Sequence, residues 1–261
     1  MKKIKGIICD WAGTTIDFGC MAPVMVFVEV FRKNGINITL EEARKPMGIA
    51  KKNHIEAILQ DERVQNMWVE KYGHDPNEQD TDFLYEQLEP VLANVVEEYC
   101  DIIPGTLELQ DYCRTKGIKL GTTTGYVGSM MKNIIPLVEK GGFLPDCIIA
   151  SDDVPFGRPA PFMIFENMKR MNVYPASQMV KIGDTIADIN EGLNAGMWTI
   201  GLTLSGNETG LTKKELDSLP NNEVEILRSK AEKRLLDAGA HFTCDGIWSV
   251  AAILEIINNK L

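Results

Sequence analysis

The sequence predicts an α/β protein, a parallel sheet flanked by helices, with an all-helical module inserted after the first strand. Three observations carry that expectation. Short apolar runs alternate with amphipathic stretches along most of the chain. Between Met21 and Tyr99 the alternation stops, and only helical periodicity and charge remain. Ile102-Ile103-Pro104-Gly105 then marks the return of the alternating pattern.

The first expected strand, residues 4–9, is an apolar run that stops at Asp10 and is too short for a secretion signal. Helical spacing follows at 24–33, 40–44, 50–59, 61–72 and 83–99. Further strands are expected at 118–122, 147–150, 179–182 and 198–202. Each follows a helical pattern, at 106–116, 127–139, 161–171 and 187–195 respectively. Gly117 and Gly196 stand where helix C-caps belong, each just before an apolar strand. Residues 245–257 again have helical spacing, while 205–210 and 218–225 read as surface connections.

With 44% hydrophobic and 25% charged residues over 261 positions, a sizeable core is expected and wholesale disorder is not. No stretch reaches the ~20 apolar residues of a membrane helix. The 27 basic against 37 acidic residues leave a net charge of −10, which opposes nonspecific binding to nucleic acid or an anionic membrane. The six cysteines form no CxxC pair, so neither a structural zinc site nor a disulfide framework is expected. A cytoplasmic location in a reducing compartment fits these features.

Four polar clusters stand at the carboxyl ends of expected strands, where open parallel sheets bind ligands. They are Asp10-Trp11-Ala12-Gly13-Thr14-Thr15, Thr122-Thr123-Thr124-Gly125-Tyr126, Ser151-Asp152-Asp153-Val154-Pro155-Phe156-Gly157-Arg158-Pro159 and Gly183-Asp184-Thr185-Ile186-Ala187-Asp188. Singly, each has a structural explanation: Asp caps helices, Thr-Gly makes turns, and Gly-Arg-Pro makes a loop. Jointly they supply a carboxylate nucleophile, a hydroxyl, a cation and a pair of acids at one sheet edge.

That set, in that order, resembles the haloacid dehalogenase superfamily of phosphoryl-transfer enzymes. The resemblance implies a Rossmann-like core at 1–19 and 100–261 with a helical cap at 20–99. It implies that Asp10 takes the phosphoryl group, Thr124 and Arg158 hold it, and Asp184 and Asp188 belong to the metal-site acids. One departure is informative. Phosphatases of the superfamily usually read DxDxT, and their second Asp protonates a leaving alkoxide; here that position is Ala12.

Two more segments, Phe18-Gly19-Cys20-Met21-Ala22-Pro23 and Ala43-Arg44-Lys45-Pro46-Met47-Gly48-Ile49-Ala50-Lys51-Lys52-Asn53-His54, resemble the phosphonoacetaldehyde hydrolase family. The resemblance extends along nearly the full length, through Gly125-Tyr126, Gly157-Arg158-Pro159 and Gly196-Met197-Trp198. It implies cleavage of a carbon–phosphorus bond through an imine on Lys51, which needs no acid at position 12. It further implies Mg²⁺ held by Asp10, the Ala12 carbonyl and Asp184, with Asp188 in support, and a homodimer joined through the caps. Cys20, Met47, Gly48, His54, Gly125 and Tyr126 become candidate substrate-site residues.

Each candidate in the insertion, and Tyr126 in the core, also has a plainer reading. Lys51 in a Lys-Lys pair is by default a solvated surface lysine. His54 is by default capping or exposed, although i+3 spacing puts it on the Lys51 face. Met47, Cys20 and Tyr126 serve equally as packing. Two rival functions stand beside the family reading: a phosphatase or phosphomutase of the same superfamily, and a catalytically silent scaffold.

Overall fold

Six parallel strands form one sheet in the order β3-β2-β1-β4-β5-β6, with β1 (Gly6–Cys9) near its centre. The computed structural model describes residues 3–95 and 99–261. Flanking β1 are β2 (Lys119–Thr123) and β4 (Met179–Gly183), and β3 (Cys147–Ile149) lies outside β2. On the other side come β5 (Trp198–Leu202) and β6 (Phe242–Cys244). Ile7, Ile8, Ile149, Val180, Ile182 and Ile200 are wholly buried, because helices cover both faces of a parallel sheet.

Register decides the placement of the polar clusters. Cys9 pairs with Thr122 on one side and Ile182 on the other. The residues just beyond them, Asp10, Thr123, Thr124, Gly183 and Asp184, therefore emerge together at the carboxyl edge. Three crossover helices, α8 (Gly128–Lys140), α9 (Phe162–Met171) and α10 (Ile186–Asn194), connect β2 through β5. Helix α7 (Thr106–Lys116) precedes β2 and ends at Gly117 in the left-handed conformation.

Between β1 and α7 the described residues contain helices and no strand: α1 (Met21–Lys33), α2 (Leu40–Arg44), α3 (Lys51–Leu59), α4 (Glu62–Tyr72), α5 (Glu78–Tyr85) and α6 (Leu88–Val95). Capping boxes at Thr39/Glu42 and Asn77/Asp80 start α2 and α5. Apolar residues of α1 pack inward: Val24, Val26, Phe27, Val30 and Phe31 are all buried.

Five details differ from the sequence expectation. The helix expected over 83–99 is two helices, α5 starting earlier and α6 following a break, while 96–98 lie outside the described residues. Residues 218–225, expected as a connection, run from the end of α11 (Lys213–Ser218) into α12 (Asn221–Asp237). The latter is a surface helix on which Ala231 and Leu235 are the buried residues, so its apolar periodicity is faint. Strand β6 has only three residues and no fully buried one, too little pattern to stand out. Residues 205–210 do connect elements, but Ser205 is wholly buried and its Oγ donates to the Gly13 carbonyl at 2.9 Å. Last in the chain is α13 (Val250–Lys260), which begins later than the helical spacing suggested.

Candidate active site

Asp10 leaves β1 with its N–H donating to the Ile182 carbonyl at 3.0 Å, and its side chain is buried. The loop behind it doubles back tightly: Thr15 Oγ1 donates to the Asp10 carbonyl at 3.0 Å, and Gly13 N–H donates to Ile16 O at 2.8 Å. Gly13 has φ +84°, and a Cβ there would lie 2.3 Å from Asp184 Oδ2. Only glycine fits. Both oxygens of Asp184 are held, Oδ1 by the Thr14 hydroxyl at 3.0 Å and Oδ2 by the Asn207 N–H at 2.7 Å. Half-buried Ala12 sits in this loop, bridged to Ile16.

Beneath Asp10 lies a buried ion network. Arg158 Nη2 pairs with Asp10 Oδ1 at 2.6 Å, Nη1 with Asp188 Oδ1 at 3.0 Å, and Nε with Glu191 Oε2 at 3.0 Å. Nη2 also donates to the Thr123 carbonyl and hydroxyl. The fork expected to grip phosphonate is thus turned onto the protein's own acceptors. Asp188 doubles as the N3 residue of the Thr185 capping box that opens α10. Burial pushes the Asp188 carboxyl up, but Arg158 and Lys181 reverse that and hold it below its ordinary value.

Asp10, Asp184 and Asp188 each offer an oxygen within 4.8 Å of the others. The charge balance tests whether a cation fits. Counted fully ionised, four buried carboxylates (Asp10, Asp184, Asp188, Glu191) face the two buried cations of the network (Arg158, Lys181), an excess of two negative charges that only a further cation would offset. Burial, Asp10 and Asp188 together push the Asp184 carboxyl well above its usual range. An all-oxygen donor set with that deficit fits a hard divalent cation.

The helical segment supplies the opposite wall. Lys51, first residue of α3, is buried, with Nζ 4.8 Å from the centre of the Tyr126 ring and 5.3 Å from that of Phe27. Burial lowers its pKa to about 8, against the opposing pull of Cys20 and Asp10. A cavity of about 10 Å³, the room of one water, is lined by Lys51, Phe27, Tyr126, Met130 and their neighbours. His54 is wholly buried, stacks on Phe27 at 3.9 Å and shares a hydrogen bond between Nε2 and the Ala43 carbonyl at 2.8 Å. Since a carbonyl only accepts, Nε2 carries the hydrogen and Nδ1 is bare; burial and Lys51 keep the ring neutral.

The two sides touch at several points. Gly48, φ +96°, lies so close to α10 that a Cβ would meet Thr185 Oγ1 at 2.3 Å. A Cβ on Gly125 would meet the Ile49 carbonyl at 2.9 Å. Arg44 Nη1 donates to the Gly19 carbonyl at 2.8 Å, and Nη2 donates to the Gly210 carbonyl at 3.1 Å. It thereby ties the helical segment to the loop whose Asn207 holds Asp184. Met47 and Cys20 are buried, and Cys20 adopts φ +53° just before α1. Thr124 Oγ1 accepts from the Tyr126 N–H at 3.1 Å and retains a hydrogen to donate.

Sequence reading missed Lys181, Glu191 and Asn207, and gave Thr123 no role of its own within its strand-end cluster. Two of them left a signal: Lys181 is a lone charge in an apolar strand, and Glu191 shares a helix face with Asp188 at i+3. Cys9, Cys20, Cys113, Cys147 and Cys244 form no disulfide, and no helix among the described residues is long and apolar enough to cross a membrane.

A family model of haloacid dehalogenase-like hydrolases matches residues 4–196. A phosphonoacetaldehyde hydrolase of Syntrophobacter fumaroxidans is 46% identical over 258 residues, covering 99% of this chain and 93% of that one. A protein of Clostridioides difficile named as a bifunctional phosphonoacetaldehyde hydrolase/aminoethylphosphonate transaminase is 42% identical over 99% of this chain and 41% of its own length. Among solved structures, a phosphonoacetaldehyde hydrolase-like protein from Oleispira antarctica superposes with a TM-score of 0.97 at 38% identity, over 98% of this chain and 93% of that one. With this sheet, this site and relatives matched over nearly all of this chain, the chain belongs to the haloacid dehalogenase-like hydrolases and, within them, to the phosphonoacetaldehyde hydrolase family.

Proposed function

We propose that this enzyme hydrolyses phosphonoacetaldehyde to acetaldehyde and inorganic phosphate, with residues 20–99 as a cap over a core of 1–19 and 100–261. The observation that carries the reading is Lys51: a buried amine with its pKa lowered to about 8, on the wall facing the Asp10 loop. Its amine condenses with the aldehyde, water leaves, and the protonated imine can accept the electrons of the carbon–phosphorus bond as an enamine. Asp10 attacks phosphorus, that bond breaks, and an aspartyl phosphate forms. Water then cleaves the aspartyl phosphate to release phosphate, and the enamine, protonated back to the imine, is hydrolysed to acetaldehyde.

Asp10, the Ala12 carbonyl and Asp184 would hold the divalent ion, Mg²⁺ in this reading, with Asp188 supporting them through its ion pairs. When bound, such an ion offsets the repulsion between a carboxylate and a phosphonate. Thr124 and Gly125 line the phosphonate end. Cys20, Met47, Gly48, His54 and Tyr126 enclose the aldehyde end and exclude water. The void beside Lys51 is far smaller than the substrate, so entry requires the cap to move. A phosphate-ester hydrolase of the same fold would leave Lys51 without a task and lacks its acid at Ala12. The relative fused to an aminoethylphosphonate transaminase supports a place in 2-aminoethylphosphonate degradation.

The test measures acetaldehyde and phosphate release from phosphonoacetaldehyde with Mg²⁺, against a general phosphate ester. Borohydride added with substrate should trap an amine adduct on Lys51. Lys51→Arg should abolish phosphonate cleavage with the fold intact, while Asp10→Ala should lose turnover yet remain trappable at Lys51. Wild-type turnover in Lys51→Arg would refute the imine, and persistent turnover in Asp10→Ala would refute the aspartyl phosphate.

A further inference from the structure

Lys181 lies in the middle of β4, wholly buried. Its Nζ reaches Thr123 Oγ1 at 2.7 Å, Asp188 Oδ1 at 2.9 Å and Glu191 Oε2 at 3.0 Å. Arg158 contacts the same three atoms, at 2.7, 3.0 and 3.0 Å. Only Asp10 and the Thr123 carbonyl belong to Arg158 alone. Without Lys181, one guanidinium would face three carboxylates. With it, Asp188 and Glu191 keep a counterion whatever Arg158 does.

The chemistry of Asp10 gives that arrangement a use. When its carboxylate bonds to phosphorus it loses its negative charge, and Arg158 Nη2 loses its anionic partner while keeping the two Thr123 acceptors. The oxygens of the transferred group then carry the charge that Asp10 gave up. We propose that Lys181 is a positioning residue: a standing counterion for Asp188 and Glu191 that leaves Arg158 able to pass from Asp10 to a phosphonyl oxygen. This rests on the phosphonate-cleaving function proposed above. Buried partners left uncompensated are costly, so loss of Lys181 should pull Arg158 down onto Asp188 and Glu191.

The experiment compares Lys181→Met, and the charge-balanced pair Lys181→Met with Glu191→Gln, against the unaltered enzyme. Calorimetry with inorganic phosphate is the first readout, and KM against kcat for phosphonoacetaldehyde is the second. Lys181→Met should weaken phosphate binding and raise KM by about tenfold or more. Trapping of Lys51 by acetaldehyde and borohydride, which involves no phosphoryl group, should be unchanged. Removing one carboxylate as well should return phosphate affinity to within about threefold of the unaltered enzyme, a rescue that simple loss of packing would not give. Unchanged phosphate affinity in Lys181→Met, or a double variant no tighter than the single, would overturn the proposal. If Lys181→Met does not fold, the double variant decides alone, and its failure to fold or to bind phosphate counts against a charge role. Absence of phosphonoacetaldehyde turnover in the unaltered enzyme would instead remove the proposed reaction, leaving the phosphate comparison to judge Lys181.

Discussion

Adjacent lysines at positions 51 and 52 meet opposite environments. Lys52 is half-buried, turned outward, and pairs with Asp82 at 2.5 Å, whereas Lys51 is buried against Tyr126 and Phe27. The roughly 100° helical rotation between neighbours separates them. Because burial lowers the Lys51 pKa to about 8, the free amine that the proposed imine requires becomes abundant well below the 10.5 of an ordinary lysine. The pH profile of kcat/KM should therefore rise with an inflection near 8. Tyr126→Ala, which admits water beside Nζ, should move that inflection upward; an unmoved inflection would dissociate it from Lys51. The sign for stability follows from linkage. With the folded pKa depressed, the unfolded chain binds the extra proton between about 8 and 10.5. The lysine's penalty is thus fully present below 8, and its contribution to stability improves as pH rises across that window.

At the scale of elements, α2 and the turn before α3 set the distance between the two walls. Gly48 packs on the start of α10 in a conformation with φ +96°, so Gly48→Ala adds both backbone strain and a clash with Thr185. Such strain costs about 1–3 kcal/mol, and the displaced turn carries Lys51 with it. Melting should fall modestly, while kcat/KM falls about tenfold or more, because small misplacements of reacting groups are expensive. Equal losses in melting and none in kcat/KM would show that the contact only stabilises. Helix α1 bears on the expected cap-to-cap dimer. Its apolar residues Val24, Val26, Phe27, Val30 and Phe31 are buried within the chain, so a dimer contact on α1 would use its half-exposed face around Met25 and Val28. Sedimentation of Val28→Glu at micromolar concentration should show a shift from dimer to monomer, and a monomeric wild type would end the dimer proposal.

For the molecule as a whole, the excess of two negative charges at the sheet edge couples ion binding to folding stability. Chelation should lower the melting temperature and Mg²⁺ should raise it. An ion present at a hundred times its Kd contributes about 2.7 kcal/mol. In a chain of this size that is several degrees of melting temperature. Asp184→Asn should melt with little response to Mg²⁺, since it removes both a donor and part of the repulsion. A melting temperature indifferent to Mg²⁺ in the unaltered enzyme would contradict the site.

The sequence by itself determined the sheet strands β1 to β5, their order in the chain and the helical insertion, because period and punctuation are local properties. It also placed Asp10, Thr124 and Asp184 at strand ends, where a parallel register brings them to one edge, and Arg158 in the loop that follows another strand. Tertiary structure decided the rest. Lys51 and His54 carry no local mark of burial; both are interior because the insertion folds back and packs Phe27 and Tyr126 around them. Lys181 and Glu191 became legible as a counterion pair only once β4 and α10 were side by side. Arg158 follows the same logic, since which oxygens a guanidinium grips depends on which carboxylates the fold leaves within 3 Å of it, and that is a property of packing, not of spacing along the chain.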